Sequence, residues 1–242
     1  MIVNYTESGW EIITQRAHGL LAAQICAHWK DKPLPERWVE TLIATAEHDD
    51  VYNEFENDDL LNDKGGPVNF SATEFRKDYA ETLIKMAETK SVYIALLVSR
   101  HIQFVHGEDS KASTFCKQLR GQEREWFKIS GLDKNEVGKA YDLLQFCDAF
   151  SLLICQRLVQ PENRKMEISK GPDGLAYEMS SDGAQQLSIS PWPFDCAEFH
   201  VSFEHRTLDT LCFKNIEHFR EAVAGARVKV ESITFKCPEV SS

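Results

Sequence analysis

The chain has 242 residues, of which 43% are hydrophobic and 27% charged, and a formal net charge of −11 at pH 7. That length supports one large domain, or one domain with a smaller partner. The acidic balance argues against a module that grips duplex nucleic acid through lysine and arginine. It leaves a small phosphorylated ligand open, because bound metal ions offset local acidity; solubility alone is the plainer reading of the charge.

No run approaches the roughly 18 consecutive apolar residues of a membrane span. Met1-Ile2-Val3-Asn4 lacks the basic segment and apolar core of a secretory signal. Seven cysteines is an odd count with no C-x-x-C pair, so neither a disulfide framework nor a zinc ribbon is indicated. A reducing cytoplasm, away from membranes, is the expected location.

Helical spacing of Ile13, Ala17, Leu20, Leu21, Ile25 and Trp29 predicts a first helix over residues 10–29, capped by Thr6 or Ser8. Pro33 and Pro35 end it, and Pro35 suits the first turn of a second helix through Trp38, Val39, Leu42, Ile43 and Ala46. The polar stretch 56–73, with Gly65-Gly66-Pro67, reads as a long loop of the kind that is often functional. Helical periodicity then runs from about 73 to 105, with further helices over about 110–129 and 133–159. After Pro161 the pattern alternates: Met166–Ser169, Leu175–Glu178, Leu187–Ile189 and Phe199–Phe203 read as strands, with Gly and Asp turns between several of them. One short helix near Ile216–Val223 and a strand over Val228–Phe235 complete the chain. The expected fold is therefore α+β. A mainly helical, all-α core over residues 1–160 is joined to a small antiparallel β-rich subdomain over 161–242.

Several polar residues fall on apolar stripes of these helices. His18 is followed at helical spacing by Leu21, Ala22 and Ile25; Asp49 continues Trp38, Leu42 and Ala46, with His48 beside it. His101 follows Ile94 and Leu97, and Asp148 is flanked by Leu144, Leu152 and Cys155. Their neighbours drive each of them inward. Buried carboxylates without partners cost several kcal/mol and repel one another, and a divalent cation removes both penalties. Mixed nitrogen and oxygen donors suit manganese, iron, cobalt, nickel or zinc, as one or two ions. Each residue has a plainer explanation by itself: a hydrogen-bonded core histidine, a helix cap, an arginine partner. Four helices each turning a ligand-type residue inward favour the metal. His106 could join only if the helix ends near Gly107. His28, His200, His205 and His218 read as ordinary surface or core histidines.

The order His18, His48-Asp49, His101 (with His106), Asp148 resembles the ligand order of the HD-domain superfamily. The chain also resembles an uncharacterised bacterial family of unknown function. Gln15-Arg16-Ala17-His18, Glu47-His48-Asp49-Asp50, Gly66-Pro67-Val68-Asn69-Phe70, Leu97-Val98-Ser99-Arg100-His101 and Asp148-Ala149-Phe150-Ser151-Leu152 carry that likeness. The resemblance implies an HD-like helical core and metal-dependent hydrolysis of a phosphate ester or nucleotide. His18, His48, Asp49 and Asp148 would hold one ion. His101, with His106, would hold a second or contact phosphate, and Asp49 would orient the attacking water. Asp50-Val51-Tyr52 stands where signalling members often carry glycine, which argues against a cyclic-dinucleotide phosphodiesterase. Arg16 and Arg100 are candidates to neutralise phosphoryl oxygens, or else they pair with nearby acids. Asn69 and Phe70 would face substrate if the long loop covers the site. An HD-type di-iron oxygenase and a non-catalytic metal- or nucleotide-binding protein are the alternatives. The strand-rich end fits an oligomerisation or specificity element, which allows a homo-oligomer.

Overall fold

The computed structural model describes residues 1–30, 36–56, 60–183 and 186–238. Strands β1 (Ile2–Thr6) and β2 (Gly9–Ile13) open the chain as a hairpin. Gly9 adopts φ +126, and a Cβ there would sit 2.0 Å from the Leu208 carbonyl oxygen, so only glycine fits the turn. Helices α1 (Gln15–Ala27), α2 (Trp38–Glu47), α3 (Lys77–Glu88), α4 (Val92–His106), α5 (Ser113–Ser130) and α6 (Lys134–Cys155) follow. Strands β3 (Met166–Lys170), β4 (Ala176–Ser181), β5 (Gln186–Ser190) and β6 (Glu198–Leu208), helix α7 (Ile216–Gly225) and strand β7 (Val228–Lys236) complete it.

All seven strands belong to one sheet, ordered β1-β2-β6-β7-β5-β4-β3. This overturns the expected mainly helical core with a small C-terminal antiparallel subdomain. The sheet is mixed, since β5 runs parallel to β7 through Gln186 and Thr234. It also begins with the first residues of the chain, because β2 pairs with β6 through Trp10 and Leu208. The predicted first helix ran through β2: Ile13 continues the helical spacing of Ala17 and Leu21 by coincidence. Thr14 marks the true boundary, its hydroxyl accepting the Ala17 N–H at 3.1 Å, so the cap is neither Thr6 nor Ser8. The helical periodicity read over 73–105 is carried by two helices, α3 and α4, with Ser91 capping α4 through the Ile94 N–H. Pro33 and Pro35, and residues 57–59 of the long loop, lie outside the described residues.

Three apolar clusters hold these layers. One lies between the sheet and helices α1 and α6, where Leu21, Ile25, Phe146 and Phe150 meet Tyr177, Ile189, Phe199 and Phe235. A second, among α2 to α6, contains Ala44, Leu83, Leu97, Leu119 and Leu144. The third joins α7 to the hairpin end of the sheet through Ile12, Leu208, Phe219 and Val223. Strand alternation explains the division: the paired residues Ile2 and Ile13 belong to the first cluster, and Ile12 of the adjoining Val3–Ile12 pair to the third. Helix α6 is shared by both α-side clusters, with Phe146 and Phe150 in the first and Tyr141 and Leu144 in the second. Asp148 follows Tyr141 and Leu144 at helical spacing.

Candidate metal centre

His18 sits in the second turn of α1, fully buried. Its neighbour Gly19 lets α1 cross α2 closely, since a Cβ there would lie 2.4 Å from the Ala46 carbonyl oxygen. That approach sets His18 against His48, which caps the C-terminus of α2. The two Nε2 atoms are 3.1 Å apart. Asp148 Oδ1 lies 3.4 Å from His18 Nε2 and 3.2 Å from His48 Nε2. Asp49 Oδ2 approaches the same two nitrogens at 4.0 and 3.8 Å. On the far side, His101 Nε2 of α4 is 3.9 Å from Asp49 Oδ1.

The hydrogen bonds behind these atoms fix which nitrogens face the centre as acceptors. Ser151 Oγ donates to the Asp148 carbonyl at 2.9 Å, so it accepts from His18 Nδ1–H at 2.7 Å. His48 Nδ1–H donates to the Thr45 carbonyl at 2.8 Å. With both rings neutral, as a bound metal requires, both Nε2 atoms present lone pairs to each other and to a carboxylate. Three acceptors within 3.4 Å repel unless a cation or shared proton lies among them. Donors about 2.1 Å from a common ion lie roughly 3.0–3.4 Å from one another, which is the spacing found here. The donor set therefore fits a divalent metal. His18, His48 and Asp49 form one convergent group and His48, His101 and Asp148 another, overlapping at His48. Among the described residues, the Nδ1 of His101 is buried without a hydrogen-bond partner.

Electrostatics follow from the same geometry. Burial, reinforced by the charge of His48, pushes His18 down to about 4. His48 is desolvated as well, but Asp148 and Asp49 outweigh burial and raise it to about 9. Burial would raise Asp148, yet the adjacent imidazoles, His48 foremost, hold its carboxyl well below the usual range. His101 is lowered, first by burial and then by His48. Without metal at neutral pH, the centre thus keeps one proton on His48, opposite an ionised Asp148.

The remaining candidates are dispersed. His106 is half-buried and packs edge-on against Phe75 at 5.1 Å; it lines a narrow cleft together with Asp49 and His101. Arg16 is bound to Asp50, with Nε 2.6 Å from its carboxylate. Arg100 lies over Phe127, 5.9 Å from the ring centroid. Neither arginine lines that cleft or the cavity beside it. Asn69 is used structurally, donating to the Val3 carbonyl and accepting from Ser71 N–H, whereas Phe70 lines the cavity.

Several contributors had no prominent sequence signal. Gln15, buried at the start of α1, donates to Asp49 Oδ2 at 2.9 Å and orients it. Ser151 and Thr45 fix the tautomers of His18 and His48. Each of the three lies three residues from a ligand, the one cue that could have revealed them. Tyr52, Arg76 and Tyr79 line the cleft with Asp49 and His101. Arg76 stands just before α3, with no apolar stripe to mark it.

Two other polar clusters differ in kind. Glu11, His205 and Glu231 converge, but Arg157 already bridges the two glutamates, at 2.7 and 2.6 Å. His28, Asp195 and Cys196 also converge, with Asp195 exposed and the His28 ring stacked on Phe199.

Neither a curated protein nor a solved structure matches the chain. A family model matches residues 1–210, and on that match the chain belongs to the family described as "Protein of unknown function (DUF3891)".

Proposed function

We propose that the chain is a metal-dependent hydrolase acting on a phosphate ester. The observation that carries this reading is the convergence of His18 Nε2, His48 Nε2 and Asp148 Oδ1 within 3.4 Å, beside the half-buried Asp49. The order and helical setting of these residues also resemble the HD-domain superfamily, whose members are mostly phosphohydrolases.

In this reading His18, His48, Asp49 and Asp148 hold one ion, of manganese, iron, cobalt, nickel or zinc. His101, with His106 beside it on the cleft wall, serves a second ion or the substrate phosphate. When bound, a divalent metal supplies Lewis acidity and makes hydroxide available from water near neutral pH. Asp49 is the residue suited to orient that water, because it is less buried than the other ligands and touches both halves of the histidine set. Gln15 holds its carboxylate in place from behind. His18 and His48 keep their lone pairs inward through Ser151 and Thr45, an arrangement that typically sets ligand basicity and orientation.

The test is metal content by mass spectrometry for the purified chain and for Asp148→Ala and Asp49→Ala, followed by hydrolysis of p-nitrophenyl phosphate with manganese, cobalt or zinc. Near-stoichiometric metal lost in both variants, with turnover that depends on it, is expected. Stoichiometric iron with oxygen uptake would redirect the reading to a di-iron oxygenase. A folded wild type that takes up no supplied metal sinks it.

A further inference from the structure

Beside the centre lies a cavity of about 350 Å³, whose walls include Tyr52, Phe70, Phe75, Arg76 and Tyr79. The much smaller cleft that reaches Asp49, His101 and His106 has a volume of about 40 Å³. Tyr52, Arg76 and Tyr79 line both spaces, so the two adjoin at these three side chains. The cleft admits a small head group, whereas the cavity has the size of a ring-bearing ligand.

The chemistry of the two ends differs. Tyr52 and Tyr79 pack edge to face with centroids 5.6 Å apart, and Phe70 and Phe75 extend the aromatic lining. Burial foremost, with the nearby Asp49 carboxylate, raises Tyr52 well above the usual phenol range, so it stays a neutral hydroxyl. The acidic groups at the cavity end are Glu54 and Glu74. Glu54 is held by the Gln15 N–H and the Met1 amino group, and Glu74 pairs with Lys111. The lining is otherwise mostly apolar and aromatic, so a charged ring would lose its hydration there. Arg76 is the cation at the junction: its guanidinium lies 3.9 Å above the Tyr79 ring and pairs with the exposed Asp78 at 2.6 Å. An exposed pair of this kind is worth little, so an incoming anion can recruit the same fork.

We propose that this compartment binds the phosphomonoester of a neutral, flat aromatic alcohol, with the ring among Tyr52, Phe70 and Tyr79 and Arg76 holding the anionic head where it enters the cleft. The direction in which the head points rests on the hydrolase reading above; the selectivity for a neutral ring rests on the cavity itself.

The experiment is calorimetric titration of phenylphosphonate and methylphosphonate into the full chain supplied with manganese, with metal content measured on the same samples. Phenylphosphonate is expected to bind at least about tenfold more tightly, from the apolar area it buries. Arg76→Ala should weaken both ligands about tenfold, through loss of a charge-assisted contact, and Arg76→Lys should recover part of that loss. Phe70→Ala should weaken phenylphosphonate alone. Equal affinity for the two ligands, or phenylphosphonate binding unchanged in a folded Arg76→Ala, overturns the proposal. Phenyl selectivity with no metal bound, when iron, cobalt, nickel and zinc are supplied as well as manganese, would retain the cavity assignment and sink the hydrolase reading. Stoichiometric manganese without phenyl selectivity would do the reverse.

Discussion

His48 holds a proton that a metal must displace, because its pKa is raised to about 9 by Asp148 and Asp49 against the opposing effect of burial. Metal affinity should therefore rise with pH, by up to about tenfold per unit, and level off near pH 9. Chelator competition at half-unit steps from pH 6 to 10 checks this, and a flat profile across pH 7–9 would refute it. The same proton acts on the metal-free fold. A group raised from 6.5 to about 9 stabilises the folded state fully below pH 6.5, and that contribution disappears as pH rises through 9. His18, lowered to about 4, acts in the opposite sense in a separate window, below pH 6.5. The Tm of chelator-treated protein should accordingly fall between pH 7 and 9, while that of metal-loaded protein does not. Ser151→Ala, which frees His18 Nδ1, should lower metal affinity about 10- to 100-fold with little change in helix content. The converging residues His18, His48, Asp49, His101 and Asp148 were legible in the sequence because polar residues in apolar stripes stand out. Gln15, Thr45 and Ser151 were not, since small polar side chains in helices are commonplace and only a partner across the fold gives them a role.

Between elements, the α1–α2 crossing depends on one absent side chain. Gly19→Ala would drive a methyl group into the Ala46 carbonyl and separate the two helices. It should cost about 1–3 kcal/mol, typical of overpacking, and impair metal binding disproportionately, since the 3.1 Å approach of His18 to His48 spans that crossing. Equilibrium denaturation and metal content, measured together, separate the two effects. Arg157, just past α6, performs a comparable service for the sheet by joining Glu11 of β2 to Glu231 of β7. Arg157→Ala leaves the buried Glu11 without its main counter-charge. On the order of 3 kcal/mol should be lost, moderated by the partial exposure of Arg157; a change below about 0.5 kcal/mol would show that His205 and Asn4 suffice. The C-terminal strands were legible from alternation and turn residues. The N-terminal hairpin was hidden because Ile12 and Ile13 are both buried, on opposite faces of β2, so no alternation appears, and because Ile13 continues the period of α1. Nothing in the spacing of β5 and β7 announced that they would run parallel.

At the scale of the molecule, helices that carry candidate ligands and the sheet share one apolar cluster, which draws residues from both sides of position 160. A fragment ending at residue 160 would expose Leu21, Ile25, Phe146 and Phe150 and leave β2 without β6. It should lack a cooperative thermal transition and bind metal weakly; a sharp transition in circular dichroism would show that the helices are self-sufficient.

The pairing of β2 with β6 also sets a timetable. On the edge of β2 away from β1, residues 10–12 pair with residues 206–208, nearly two hundred positions later. During synthesis, the hairpin must keep that edge open until β6 has been made. That open edge is a template for pairing with other chains, and contacts this distant along the sequence form slowly. Yield should therefore depend on how quickly the segment leading up to β6 is translated. Slow codons between residues 160 and 206 would prolong the exposure and favour aggregation, whereas the same codons after residue 210 would do little.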